Sequence, residues 1–352
     1  METGEPLRVA VFGAGAIGTY LGGSLALRGH VTVFVERPEV AAEIERRGVR
    51  IERESGESLA VPEGAFRVAS SAEAALASGP LDLVVSALKS FDTQALIDSL
   101  LAAGFGAASC PILSVSNGVD NEPALAAAFG PGRVIAGTVM TAVGRRSAGD
   151  VVVERMRGVG VAAGHALSEP LARAMGDAGL NARLYASAAA MKWSKLLTNL
   201  LANASSAILD MAPAEIFSDP GLCRLEVRAL REALAVMRAS EIGVVDLPRT
   251  PVRLLALAAR LPPALSRPLL ARAVGGGRGG KMPSFHIDLH SGRGASEVEF
   301  LNGAVVRHGE RKGVATPVNH LLTGTLLALT KREIPIEAFA RDPSRLLAAA
   351  RG

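Results

Sequence analysis

Leu7-Arg8-Val9-Ala10-Val11-Phe12-Gly13-Ala14-Gly15-Ala16-Ile17-Gly18 decides the fold. Leu7 to Phe12 is a short apolar run that leads straight into the glycines, and Ile17, Leu21 and Leu25 then recur at helical spacing. The pattern reads strand, turn, helix. After a Gly29-His30 break, Val31-Thr32-Val33-Phe34-Val35 supplies a second buried strand and closes a βαβ unit. Each glycine then has its own steric reason: Gly13 permits the tight turn, Gly15 lets a pyrophosphate approach the backbone, and Gly18 lets the helix pack against the strand. The backbone of Gly13, Ala14, Gly15, Ala16, Ile17 and Gly18 thus offers amide donors to a phosphate. A glycine-rich turn alone is often only a turn, but this strand–turn–helix–strand context reads as the phosphate cradle of a Rossmann domain that holds a nicotinamide dinucleotide.

Working outward, Leu81 to Ala87, Pro111 to Ser116 and Val134 to Val139 are further strands, alternating with helices such as Ser90 to Ala102 and Asn121 to Phe129. That alternation predicts an α/β, doubly wound, mainly parallel sheet. Val151 to Val153 and Gly158 to Ala162 are expected to finish it as antiparallel edge strands. From Ala186 onward the text changes to long 3.6-residue periodicities, over Ala188 to Leu209, Leu222 to Glu241, Pro251 to Ala259, Ser296 to His308 and Val318 to Leu329, so the second half is expected to be all-α. The division is placed at 1–186 and 187–352, with a ligand cleft expected between the halves. The loop Gly275-Gly276-Gly277-Arg278-Gly279-Gly280-Lys281 reads as a plain connection or a movable lid.

With 49% hydrophobic and 20% charged residues in 352, the chain can bury ample core in one or two domains, two being the expectation. The net charge of +4 comes from scattered arginines, with no long basic run interleaved with aromatics, so nucleic acid is not expected as a partner. Cys110 and Cys223 form no CxxC or Cys/His cluster, and His286, His290 and His308 are not spaced with other ligand types, so neither a disulfide framework nor a metal site is expected. An acidic start running directly into a strand is unlike a signal peptide, and the apolar stretch Val252 to Leu270 is broken by Arg253, Arg260, Pro262, Pro263 and Arg267. A cytoplasmic protein without a membrane partner is the expectation.

Candidate chemistry collects in a few places. At the end of the second strand, Glu36 suits a ribose 2′-hydroxyl and Arg37 a 2′-phosphate, so the residues leave NAD(H) and NADP(H) both open. Lys89 follows the strand Leu81 to Ala87, where a cation can reach the cofactor or simply be a solvated loop lysine. Ser116-Asn117-Gly118-Val119 places Asn117 at the carboxyl edge of the sheet, although Asn before Gly is also common in turns. Lys195, Asn199 and Asn203, at i, i+4 and i+8 in an otherwise apolar helix Met191 to Leu209, project from one face. Buried polar groups need partners, and a polar substrate can be that partner. Ser296 is placed to cap the helix begun by Glu297.

Taken in order, these motifs resemble those of the ketopantoate reductases (2-dehydropantoate 2-reductases), whose Rossmann domain is joined to a helical domain like that of 6-phosphogluconate dehydrogenase. The resemblance covers most of the chain: Gly13 to Gly18 matches the glycine turn, Lys89 the lysine after the third core strand, and Ser116-Asn117-Gly118-Val119 the Q/S-N-G stretch. Lys195 to Asn203 matches the K-x-x-x-N-x-x-x-N helix, and Glu297 to Gly303 the T-E-I-D-x-x-N-G segment. It implies NADPH-dependent reduction of a 2-keto acid to a 2-hydroxy acid, ketopantoate giving pantoate for pantothenate and coenzyme A, by a homodimer. It further implies Lys195 as general acid, Glu297 as a residue that orients the centre and touches the cofactor, and Asn117, Asn199, Asn203 and Ser284 as substrate holders, Asn117 also touching the cofactor. The departures are Glu36 where a small apolar residue is usual, one extra residue between Asp288 and Glu297, and a longer Val244 to Gly280 region.

Overall fold

In a computed structural model of the chain, residues 6–106, 109–262, 266–270, 282–292 and 294–351 are described. The Gly275 to Lys281 loop lies outside them. Contacts divide the chain into two compact units, one of residues 1–116, 120–192 and 247–250 and the other of 117–119, 193–246 and 251–352.

The first unit is α/β. Its strands are β1 (Arg8–Phe12), β2 (Val31–Val35), β3 (Arg50–Glu52), β4 (Ser58–Ala60), β5 (Phe66–Ala69), β6 (Leu83–Ser86), β7 (Ile112–Ser114), β8 (Val134–Val139), β9 (Ala142–Ser147), β10 (Asp150–Arg155), β11 (Val159–Ala162) and β12 (Ala182–Tyr185). Eight of them form one sheet in the order β12-β11-β8-β7-β6-β1-β2-β5, parallel throughout except where β11 runs antiparallel to β8. Strand order reverses between β1 and β6, which puts the glycine turn after β1 at the switch point where ligands of open α/β sheets collect.

Alternation along β1 explains why the sheet is covered on both faces. Val9 and Val11 join one apolar core with Phe34, Leu83 and Val85, while Ala10 and Phe12 join a second with Val33, Val84 and Ile112. Both residue sets are apolar, as a strand buried on both sides requires.

Gly158 to Ala162 does join the sheet as an antiparallel neighbour of β8, but it does not finish it: β12, parallel to it, is the edge. Val151 to Val153 does not belong to this sheet. It lies in β10 of a separate four-stranded sheet, order β4-β3-β10-β9, whose three-residue strands β3 and β4 are too short to show a period. This small sheet gives α1 (Ala16–Ala26) a second wall. A Cβ on Gly22 would come within 2.7 Å of Phe34 on β2, and one on Gly23 within 2.9 Å of Ile51 on β3. Every residue from Gly18 to Ala26 is buried, and sealing Leu21 and Leu25 contributes about 2 kcal/mol each.

The second unit is helical, as the periodicity predicts. Its helices include Pro220–Ala239, Val252–Arg260, Ser284–His290, Asn302–Lys312 and Pro317–Thr330. The long Pro220–Ala239 helix is opened by Asp219, whose carboxylate accepts the Gly221 and Leu222 N–H groups at 2.7 and 2.9 Å. Two expected single helices are broken. Ala188 to Leu209 is α7 (Ala188–Leu200) followed by α8 (Asn203–Leu209), and Ser296 to His308 is a 3₁₀ turn at Glu297–Phe300 followed by Asn302–Lys312. Among the described residues no helix is long and apolar enough to cross a membrane.

Candidate active site

The glycine turn shows three different physical reasons for three glycines. Gly13 has φ +90°, a left-handed conformation that disfavours any side chain, and donates its N–H to the Val35 carbonyl at 3.0 Å. Gly18 has no room: its Cβ would fall 1.9 Å from the Gly13 carbonyl oxygen. Gly15 differs from both, with φ −71° and no atom within 4 Å of the position a Cβ would take. Nothing among the described residues demands glycine there, so the open space is a cradle that a side chain would fill. Gly15 is the N-cap of α1 and provides no side-chain cap, and Gly15, Ala16 and Ile17 are only half-buried. A pyrophosphate fits the amide donors this leaves.

Around this turn, Glu36 follows β2 and its carboxylate accepts the Arg37 N–H at 3.2 Å, while Arg37 is exposed. Lys89 is half-buried and precedes a 3₁₀ turn, Ser90–Asp92, that opens the expected Ser90 to Ala102 helix. The neighbouring loop is tied down by Ser116, whose hydroxyl donates to the Leu88 carbonyl at 2.8 Å.

Lys192 is a residue that the sequence reading passes over. It is 5% exposed, paired with Glu122 at 2.7 Å, and donates to the Ser116 carbonyl at 2.6 Å. A lysine one turn before Lys195 offers no pattern of its own, since its partners lie 70 and 76 residues back.

In the helical unit, Lys195 and Asn199 sit one turn apart on α7 and are half-buried, while Trp193, Ser194, Leu196 and Leu197 are sealed. Asn199 donates to Asn117 Oδ1 at 3.1 Å, so two candidates 82 residues apart meet side chain to side chain. The adjoining Gly118 has φ +86°, the turn conformation that Asn-Gly suggests.

Asn203 is not on the same helix as Lys195. The chain breaks at Ala202, which takes φ +48° although it is not glycine, and α8 starts anew at Asn203. Glu226, 1% exposed, makes the break tenable: its carboxylate accepts the Ala202 N–H at 2.7 Å and the Ser205 hydroxyl at 2.6 Å. The break turns the Asn203 amide towards the helix Ser284–His290, where Oδ1 accepts the Phe285 N–H at 3.1 Å and Nδ2 reaches Ser284 Oγ at 3.4 Å. Asn203 is 2% exposed and Ser284 is exposed.

Glu297 is 1% exposed and begins the 3₁₀ turn that Ser296 caps, with Ser296 Oγ accepting the Val298 N–H at 3.2 Å. Behind that turn, Asn302 donates to Asn319, and Asn319 donates to Glu232, whose carboxylate also caps the helix Pro317–Thr330 through the Val318 and Asn319 N–H groups. This buried polar chain fixes the segment that carries Glu297. His308 packs its ring edge-on to Trp193 at 5.2 Å. A cavity of about 810 Å³ elsewhere in this unit is lined by residues such as Phe217, Val227, Arg224 and Arg228, with none of the candidate residues among those lining it.

Comparison with known proteins yields the following. The family model for "Ketopantoate reductase PanE/ApbA" matches residues 9–164, and that for "Ketopantoate reductase PanE/ApbA C terminal" matches residues 187–330. A 2-dehydropantoate 2-reductase of Halobacterium salinarum is 27% identical over 338 residues, spanning 93% of this chain and 100% of that protein. Among solved structures, a PanE/ApbA family ketopantoate reductase from Ralstonia eutropha superposes with a TM-score of 0.78 at 26% identity, over 93% of this chain and 99% of its own. A D-mandelate dehydrogenase, solved with NADH and anilino(oxo)acetate, shares the fold at a TM-score of 0.76 and 19% identity, with the same coverage.

Proposed function

Because the chain belongs to the ketopantoate reductase family, we propose that it is an oxidoreductase that reduces a 2-keto acid to a 2-hydroxy acid with NADPH. The substrate of choice is 2-dehydropantoate, giving pantoate for pantothenate and coenzyme A. What carries the reading is the pair Lys195 and Asn199, half-buried one turn apart on a helix whose neighbouring Trp193, Ser194, Leu196 and Leu197 are sealed, with Asn199 held by Asn117.

A bound reduced nicotinamide supplies the hydride that adds to the keto carbon. The chain's residues do the rest. Gly13 to Gly18 hold the pyrophosphate, with Gly15 left bare for its approach, and Arg37 and Lys89 supply positive charge to the cofactor. Lys195 holds its ammonium at the substrate oxygen, where negative charge grows, and gives up one proton to the alkoxide; the lysine is then reprotonated from water. Asn199 and Asn117 fix the substrate's polar groups, and Asn203 acts through Ser284. Glu297 orients the centre and contacts the cofactor.

The test is oxidation of NADPH, followed in parallel with NADH, on adding 2-dehydropantoate and other branched 2-keto acids. Turnover is expected, fastest with NADPH; a folded, cofactor-binding sample that turns over none of them overturns the proposal. Glu36, which follows β2, favours NADH as the second reading, and a kcat/KM higher with NADH than with NADPH establishes it. The assembly proposed is a homodimer through the helical unit, where Leu254 and Leu257 are each 55% exposed one turn apart. Light scattering at working concentration gives twice the monomer mass if this is right.

A further inference from the structure

Asp210, His286 and His290 come together although 76 residues separate the first from the second. His286 and His290 stand at i and i+4 on the helix Ser284–His290, with ring centroids 4.3 Å apart. His286 Nε2 lies 2.9 Å from Asp210 Oδ1. Asp210 ends α8 in a left-handed conformation, φ +48°, which turns the chain out of the helix at this point. One ligand atom from each of the three residues lies within 4.8 Å of the others. His286 is half-buried, whereas Asp210 and His290 are exposed and open to an ion from solvent.

We propose that these three side chains form a site for a borderline divalent cation, Zn²⁺ foremost. Two imidazole nitrogens and one carboxylate oxygen are the donor set such ions prefer over Mg²⁺ or Ca²⁺. Bonds of about 2.1 Å place tetrahedral donors about 3.4 Å apart, so the separations present close by side-chain rotation, with a fourth position left to water. Asp210 offsets part of the ion's charge. Arg341, whose N–H donates to the Leu209 carbonyl beside Asp210, commits its guanidinium to Glu215 and does not oppose a cation.

The ligands come from the C-terminal cap of α8 and from the helix Ser284–His290, two elements already joined by Asn203 and Ser284. An ion would therefore add a second tie between them. The pairing holds whether or not the reductase reading is right.

The experiment is calorimetric titration of ZnCl₂ into the full chain without a polyhistidine tag, paired with thermal melts. One ion per chain and a raised melting temperature of the helical unit are expected. His290→Ala, at an exposed position, and Asp210→Asn, which keeps a residue tolerant of positive φ, should each weaken binding at least about tenfold while circular dichroism stays unchanged. Co²⁺ should give the visible absorption of a tetrahedral site in the wild type and lose it in His290→Ala. Absence of binding by the folded wild type overturns the site, and so does binding that neither variant weakens, which would move the ion elsewhere, such as to Cys110 or Cys223.

Discussion

Asn199 donates its side-chain amide to Asn117 across 3.1 Å, so each constrains the other's orientation. Asn199→Ala removes that constraint without touching Lys195. A rise of about tenfold in KM for the keto acid, with unchanged affinity for the cofactor, is the expected kinetic outcome. Equal KM in variant and wild type would take the amide pair out of substrate recognition.

Lys195→Ala should divide from this cleanly. Loss of the proposed proton donor should lower kcat by about 10²- to 10⁴-fold while dinucleotide affinity, read by fluorescence titration, stays near that of the wild type. Near-normal kcat would assign the proton to another group.

Gly15 and Gly18 make a paired test of the cradle. Gly15→Ala meets no atom within 4 Å and has an ordinary φ, so the melting temperature should hold while dinucleotide affinity drops at least about tenfold. Gly18→Ala drives a methyl into the Gly13 carbonyl and should lower stability itself. If Gly15→Ala binds cofactor normally, the open space has another use.

Lys192 and Glu122 form a nearly sealed ion pair, the lysine 5% and the carboxylate 14% exposed. Lys192→Met strands the Glu122 charge and the Ser116 carbonyl, at a cost of about 3 kcal/mol. Urea melts should show this as an earlier transition, partly restored when Glu122→Gln is added. A variant as stable as the wild type would show the pair to be energetically neutral.

His30 makes stability depend on pH. Its Nδ1 accepts the Leu7 N–H at 3.0 Å, and burial pushes its pKa below the ordinary value of 6.5, more than the Asp177 charge raises it. Below about pH 6.5 the unfolded chain therefore binds more protons than the folded one. Stability contributed above that pH is lost as the pH falls towards the folded-state pKa, where the loss levels off. Melting temperatures measured from pH 8 to pH 5.5 should fall less in His30→Gln than in the wild type; parallel curves would remove His30 from the titration.

How far the sequence could be read follows from where each cause lies along the chain. The β1–turn–α1–β2 unit was legible because alternation, helical spacing and the glycines are all local. The small sheet was not, since β3 and β4 are three residues long and β10 pairs with β3 about 100 residues away. The break after Leu200 was invisible because Ala202 is not a helix breaker; the carboxylate that sustains its strained conformation is Glu226. Asn117 and Asn199 were each picked out by neighbouring residues, but their pairing needed the folded chain. His286 and His290 had the right spacing for a shared face, and only folding supplied Asp210.

Enclosure of α1 between two sheets has a consequence for local opening. From Gly18 to Ala26 the helix has no wet face and cannot swing out alone, because exposing it means parting β2 on one side and β3 on the other. The amide hydrogens of Tyr20 to Ala26 should thus exchange with solvent only when the whole α/β unit unfolds, among the slowest in the chain. The turn that precedes it is therefore mounted on a helix walled on two sides, and the proposed entry and departure of a dinucleotide would depend on motion in other segments.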